Sequence, residues 1–185
     1  MIAAINPRPI AWVSTLSPSG VTNLAPFSFF NGITARPPAL LFCPSNKRDG
    51  TKKDTLRNIE ARGEFVVNVV SYDLAERMNA TSAEFEYEVS EFERCGLTPA
   101  SSSKLSVPRV AEARAAFECR LKEIVRVGEG PGAGNVVIGL IVALHLADKV
   151  LGPDGQIDAA KLDTIGRMGG QTYARTRERF GLERP

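Results

Sequence analysis

Arg8–Thr55 reads RPIAWVSTLSPSGVTNLAPFSFFNGITARPPALLFCPSNKRDGTKKDT, and the rest of the 185-residue chain is arranged around it. Ile10 to Leu16 places Ile10, Trp12, Ser14 and Leu16 on one face and Ala11, Val13 and Thr15 on the other, which is a strand ending in hydroxyls. Ser17-Pro18-Ser19-Gly20 is turn chemistry, and Val21 to Leu24 begins a returning strand, so the pair reads as a β-hairpin. Pro26 is expected to end regular pairing. Phe27 to Asn31 follows as a polar and aromatic loop, and Asn31-Gly32 suits the left-handed backbone of a turn or bulge. Beyond Pro37-Pro38, the compact apolar run Ala39 to Cys43 reads as a buried strand.

Ser45 to Thr55 passes from loop into helix. Asp54 is placed to cap a helix through Leu56, Ile59 and Ala61, while Thr51 with Asp54 also fits the spacing of a capping box. Gly63 stops it. Unpaired amides at a helix start, with Arg48, Lys52 and Lys53 upstream, favour a phosphate by hydrogen bonding and by charge. Three β-prone runs, an aromatic loop and such a helix start are the equipment for a flat aromatic ligand carrying a phosphate. Taken alone, however, the charge run reads as solvated surface.

Farther along, Phe65 to Val70 is a strand signal and Ser71 caps a short helix with Leu74, Ala75 and Met78. Thr81 to Arg114 reads as an excursion outside the main structure, with Glu84, Glu86, Glu88, Glu91 and Glu93 solvated. Phe117 to Val127 alternates as a half-exposed antiparallel strand, and Asn135 to Ala147 is its apolar partner, buried on both faces. Gly128-Glu129-Gly130-Pro131-Gly132-Ala133 between them matches the relaxed dinucleotide fingerprint. That motif needs a strand before and a helix after, and here a strand follows, so the glycines form a long hairpin loop. Gly152 to Gly155 is a turn, Asp158 caps a short helix, and Arg167 to Gly170 precedes Tyr173 and a tail with Arg175, Arg177, Arg179 and Arg184, which either reaches a neighbouring subunit's ligand or frays.

Composition narrows the function classes. With 43% hydrophobic residues, the chain is expected to form a single domain over 1–185. Lys+Arg 23 against Asp+Glu 21 is too balanced for nucleic acid as the main partner. Three widely spaced cysteines and the lack of a signal-like leader fit a cytoplasmic setting, and no apolar run is long enough for a membrane partner. His145 is the only histidine, so a Cys/His zinc site, a two-histidine iron site or a Ser-His-Asp arrangement would have to recruit it alone, and the surrounding spacing supports none of them. On a strand it either donates to a ligand or is a satisfied structural residue.

The run PRPIAWVST (7–15), then G-x-x-N-L-A-P-F-S-F-F-N (20–31), SNKRDGTKKDT (45–55), GLTPA (96–100), VPRV (107–110) and GRMGGQTYAR (166–175) together resemble the flavin reductase-like, FMN-binding split-barrel family. The resemblance spans nearly the whole chain in order. It implies a mainly β (α+β) Greek-key split β-barrel with a few short peripheral helices, a homodimer with FMN near the interface, and hydride transfer from NADH or NADPH to flavin. Carried onto this chain, it places Trp12, Ser14 and Thr15 beside the flavin, and Ser28 and Asn31 on its ring or ribityl chain. Ser45, Arg48, Lys53, Asp54 and Thr55 surround the phosphate, which overturns the solvated reading, and His145 faces the flavin or nicotinamide. The chain begins at Met1-Ile2-Ala3-Ala4, where such proteins often carry a further segment; if that segment helps cover the site or the dimer seam, looser flavin binding is expected. Reduced flavin would pass electrons to free flavin, a partner oxygenase or another acceptor. Two other readings compete: a non-catalytic FMN-binding electron carrier, and a barrel that binds nucleic acid through the basic loop and Phe27, Phe29 and Phe30.

Overall fold

The fold was obtained as a computed structural model, which describes residues 2–184; Met1 and Pro185, the ends of the expected 1–185 domain, lie outside it. Its centre is a seven-stranded sheet. Chain order gives β1 (Arg8–Pro9), β2 (Ala11–Leu16), β3 (Thr22–Phe27), β4 (Phe30–Ala35), β5 (Pro38–Phe42), helix α1 (Asp54–Arg62) and β6 (Glu64–Val69). Short helices α2 (Ala75–Ala80) and α3 (Glu91–Arg94) and strands β7 (Pro99–Ala100) and β8 (Arg109–Val110) follow. The long ribbon of β9 (Ala115–Val127) and β10 (Gly134–Leu146) comes next, then α4 (Ala159–Leu162), β11 (Ile165–Gly169) and β12 (Thr172–Arg175).

Sheet order is β3-β2-β6-β9-β10-β5-β4, antiparallel at every pair. Strands β3 and β4 form its opposite edges, yet only Ser28 and Phe29 separate them in sequence. The sheet therefore curls until its edges nearly meet without pairing, which is a split barrel. The alternation in β2 sorts its two faces into two cores. Ala11 and Val13 join Phe27, Phe42, Phe65 and Val137 inside the barrel, with Leu56 and Ile59 of α1 closing it. Ile10 and Trp12 join Leu74, Met78, Phe92, Leu97 and Val110 outside it.

Five expectations change. Pro26 does not end pairing: it lies opposite Trp12 in β3, where an edge strand tolerates its missing N–H. Of the loop expected over 27–31, Phe27 belongs to β3 and Phe30 and Asn31 open strand β4, where the turn or bulge expected at Asn31-Gly32 is a bulge, between Gly32 and Thr34. The 81–114 excursion is no outer appendage, because Phe92, Leu97, Val107 and Val110 are core. Nor is the tail frayed at its start, since Arg175 ends β12 and both it and Arg177 pair with Asp163. Asp54 does not cap α1. Lys53 occupies the N-cap position without a side-chain bond, while Gly63 ends the helix at φ 69° as expected.

Candidate functional site

Edge strand β3 forms the floor of a trough. At one end a narrow recess of about 110 Å³ is bounded by Lys47, Lys53, Asp54 and Thr55 from the start of α1, with Phe85 and Glu91 opposite. At the other, a wider cleft of about 330 Å³ lies among Arg8, Ser28, Met78, Asn79, Arg167 and Tyr173. Pro26, Phe27 and Ser82 line both, so the two run together.

The narrow end is built to meet an anion. With no side chain capping α1 and the Leu56 N–H turned back to the Lys53 carbonyl, the Asp54 and Thr55 amides are left for an outside acceptor. Lys47 pairs with Asp54 at 3.3 Å and Arg57 holds the other carboxylate oxygen at 3.2 Å, which offsets the acid beside the helix start. Below them a buried network fixes the floor. Thr15 Oγ1 and Thr55 Oγ1 donate to Asn23 Oδ1 at 3.1 and 2.8 Å, and Asn23 Nδ2 donates to Glu91 Oε1 at 2.8 Å. Burial pushes the Glu91 carboxyl up, against the lowering effect of the Leu24 N–H and Asn23. The glutamate expected to be solvated is thus part of the floor.

Of the residues singled out in the sequence, Ser28, Lys53, Asp54 and Thr55 line the trough. Trp12, Ser14 and Thr15 do not: a core packs against each face of β2, and all three are fully buried. They support the site from behind. Trp12 Nε1 donates to Thr81 Oγ1 at 2.9 Å, Ser14 Oγ donates to the Pro108 carbonyl at 2.6 Å, and Thr15 anchors Asn23. Asn31 is exposed on β4, its Oδ1 accepting from the Gly32 N–H. Ser45 bridges to Gly134, Arg48 is exposed on the loop, and neither borders the trough.

His145 lies elsewhere, with its Nε2 2.5 Å from Glu118 Oε1 on the neighbouring strand. Glu118, expected on an exposed face, is completely buried because the 101–106 segment folds over it. Lys47, Arg8, Asn79, Ser82, Arg167 and Tyr173 line the trough without having been singled out for it. Arg8 and Arg167 are 159 positions apart, and only the β1–β11 pairing joins them.

The split barrel thus offers a continuous trough with two lysines, three acids and an uncapped helix start at its narrow end and two arginines at its wide end. Residues 3–161 match the flavin reductase like domain. Nitrilotriacetate monooxygenase component B from Bacillus cereus is 38% identical, superposes with TM-score 0.91, and is covered over 89% of its chain by 97% of this one. Pseudomonas fluorescens 2-nitrobenzoate 2-nitroreductase NbaA is 34% identical with TM-score 0.88, all of this chain covering 88% of it. An uncharacterised protein of Aquifex aeolicus is 41% identical over 95% of this chain and 87% of its own. The chain belongs to the flavin reductase-like split-barrel family. The family and its structural neighbours support flavin binding and oxidoreductase chemistry.

Proposed function

We propose that the protein is an NAD(P)H-dependent flavin reductase that holds FMN along β3. The observation that carries this is the continuity of the trough, from an uncapped helix start flanked by Lys47 and Lys53 to a wider cleft with an apolar floor. Lys47, Lys53 and the first amides of α1 would hold the phosphate, and Thr55 keeps that turn in place through Asn23. Pro26, Phe27 and Met78 would lie under the ring, with Ser28, Asn79 and Ser82 offering hydrogen bonds at its edges. Bound flavin supplies the hydride-accepting chemistry, so the chain's own task is to orient it beside a reduced nicotinamide and to exclude water.

The nucleic-acid reading loses its stacking platform, because Phe27 is 8% exposed and only Phe29 of the three rings is freely exposed. Ile33, Val125, Val127, Val142 and Leu144 leave apolar surface on β4, β9 and β10, which supports a homodimer. Similarity to a monooxygenase component supports an oxygenase as recipient of reduced flavin. Among the described residues no helix is long and apolar enough to cross a membrane, and the three cysteines are free, which supports the cytoplasm. The joining of β1 to β11 supports reading 1–185 as one domain.

Adding FMN to the purified protein should give one bound flavin per chain, and anaerobic addition of NADH or NADPH should bleach its visible band. Bound flavin that neither nicotinamide bleaches would instead indicate the electron carrier.

A further inference from the structure

Arg8 and Arg167 stand directly opposite one another in the antiparallel pairing of β1 with β11. Like charges at such positions repel. No ion pair among the described residues involves either, and the wide cleft they line contains no Asp or Glu. Arg8 is only 6% exposed. Its Nη1 donates to the carbonyls of Ile2 at 2.6 Å and Ile5 at 2.8 Å, and Nε reaches Ser28 Oγ at 3.4 Å. The guanidinium carbon of Arg167 lies 4.5 Å from the centroid of the Tyr173 ring, and its nitrogens donate to the Tyr173 hydroxyl and the Gly170 carbonyl.

Carbonyls, hydroxyls and a π face satisfy the donors and aim the two groups, but they do not cancel two full charges. A half-enclosed cleft screens those charges poorly, so an anion placed there would be stabilised strongly. The narrow recess differs, since Asp54, Glu84 and Glu91 accompany its two lysines. The uncompensated positive charge of the trough is concentrated at its wide end.

We propose that Arg8 and Arg167 form a seat for the negative charge that the flavin ring acquires on reduction, with the pyrimidine edge of the ring lying in the wide cleft. This rests on the flavin reading above. A hydride from a reduced nicotinamide carries two electrons and one hydrogen to N5 of the ring, and the donor departs as oxidised nicotinamide. Without a second proton, the ring is left with one negative charge shared between N1 and the C2 oxygen. Guanidiniums already held in place favour that form over the neutral oxidised ring without reorganising, and so raise the flavin's midpoint potential.

Arg167 is the better handle, because Arg8 also ties down residues 2–5 and its loss can unfold that segment. FMN-loaded wild type, Arg167→Gln, Arg167→Lys and Arg8→Lys would be compared by fluorescence titration of oxidised FMN and by anaerobic spectroelectrochemistry. Arg167→Gln should bind oxidised FMN within about threefold of wild type. Its preference for reduced over oxidised flavin should fall about tenfold, a midpoint lower by about 30 mV for a two-electron couple. Both lysine variants, which keep the charge, should retain that preference within about twofold. An unchanged preference in Arg167→Gln overturns the seat and leaves the flavin reading standing. A higher KM for the nicotinamide with an unchanged midpoint assigns the arginines to the donor's phosphates and also overturns it. Wild-type protein that binds no FMN removes the flavin reading, and this inference with it.

Discussion

Lys53 stands where side-chain charge and backbone polarity coincide, at the N-cap of α1 and on the trough wall. Lys47 acts twice, as a cation toward the recess and as the partner that offsets Asp54. Charge-assisted hydrogen bonds of this kind contribute about 1.5–3 kcal/mol each. Lys53→Ala should therefore weaken FMN binding at least tenfold in a fluorescence titration. Lys47→Ala should cost as much or more, because it exposes a phosphate to the freed Asp54 carboxylate, and Arg48→Ala should stay close to wild type. Equal losses for Arg48 and Lys53 would move the phosphate out along the loop. Glu118 sets a different test. Burial works against its charge, but hydrogen bonds from His145, the Ser103 N–H and hydroxyl, and the Lys104 N–H more than offset this and bring its pKa down to about 2. A depressed folded-state pKa adds stability that is complete above the ordinary value of 4.5 and is lost as pH falls from there toward 2. Urea midpoints for wild type should therefore drop across that window. Glu118→Gln should be less stable at pH 7, by on the order of 1–3 kcal/mol, and should show a flatter acid limb; parallel limbs would remove Glu118 from the acid response.

Strands with strong side-chain alternation or long β-branched runs were readable from sequence, and those whose form depends on a distant partner were not. Ile10–Leu16, Phe65–Val70 and the β9–β10 ribbon emerged close to their expected bounds, although β10 leaves Val142 and Leu144 exposed where burial on both faces was expected. Phe30–Ala35 contains Asn-Gly and precedes Pro37-Pro38, all local turn signals, and becomes a strand because β5 offers it a partner. Pro26 misled for the converse reason: proline breaks a central strand, and only the sheet order shows β3 to be an edge. The site followed the same division. Lys53, Asp54, Thr55 and Ser28 were named from the sequence and border the trough, whereas Arg167 and Tyr173 join Arg8 there only through a pairing across the whole chain. Trp12 carried the right motif but points into a core, because burial on both faces of β2 is a property of the sheet and not of its sequence. Gly139 marks how tightly that sheet closes. A Cβ there would overlap the Phe65 ring and lie 3.1 Å from Cys119 Cβ, while Phe65 is itself held edge-on against Phe42 at 5.4 Å. Overpacking of this sort costs about 1–3 kcal/mol. Gly139→Ala should accordingly lower Tm by roughly 2–12 °C in a thermal melt for a chain of this size, and an unchanged Tm would mean that the ring moves freely.

A curled sheet whose edges stop short of pairing gives the molecule two kinds of surface. The gap beside β3 is covered by α1, α2 and the 81–91 segment and becomes the trough. The β4-β5-β10-β9 side has no such cover, and there Val125 is 42%, Val127 59% and Leu144 47% exposed. Tyrosine–arginine stacking and ion pairs tidy other parts of the surface, but these side chains have nothing to pack on within one chain. In a two-fold dimer each would be buried twice, and a fully buried Leu or Val is worth about 1.5–3 kcal/mol. Replacing Leu144 by Lys removes that contribution from both subunits and adds two charges to the interface. The association constant should then fall by on the order of a hundredfold or more, converting dimer to monomer at micromolar concentration in sedimentation velocity while the far-UV CD spectrum is kept. If the dimer places the flavin near its seam, FMN affinity should fall with the oligomer and recover as protein concentration is raised. Affinity independent of concentration would make each trough self-sufficient, and a Leu144→Lys protein that remains dimeric would place the interface on another face.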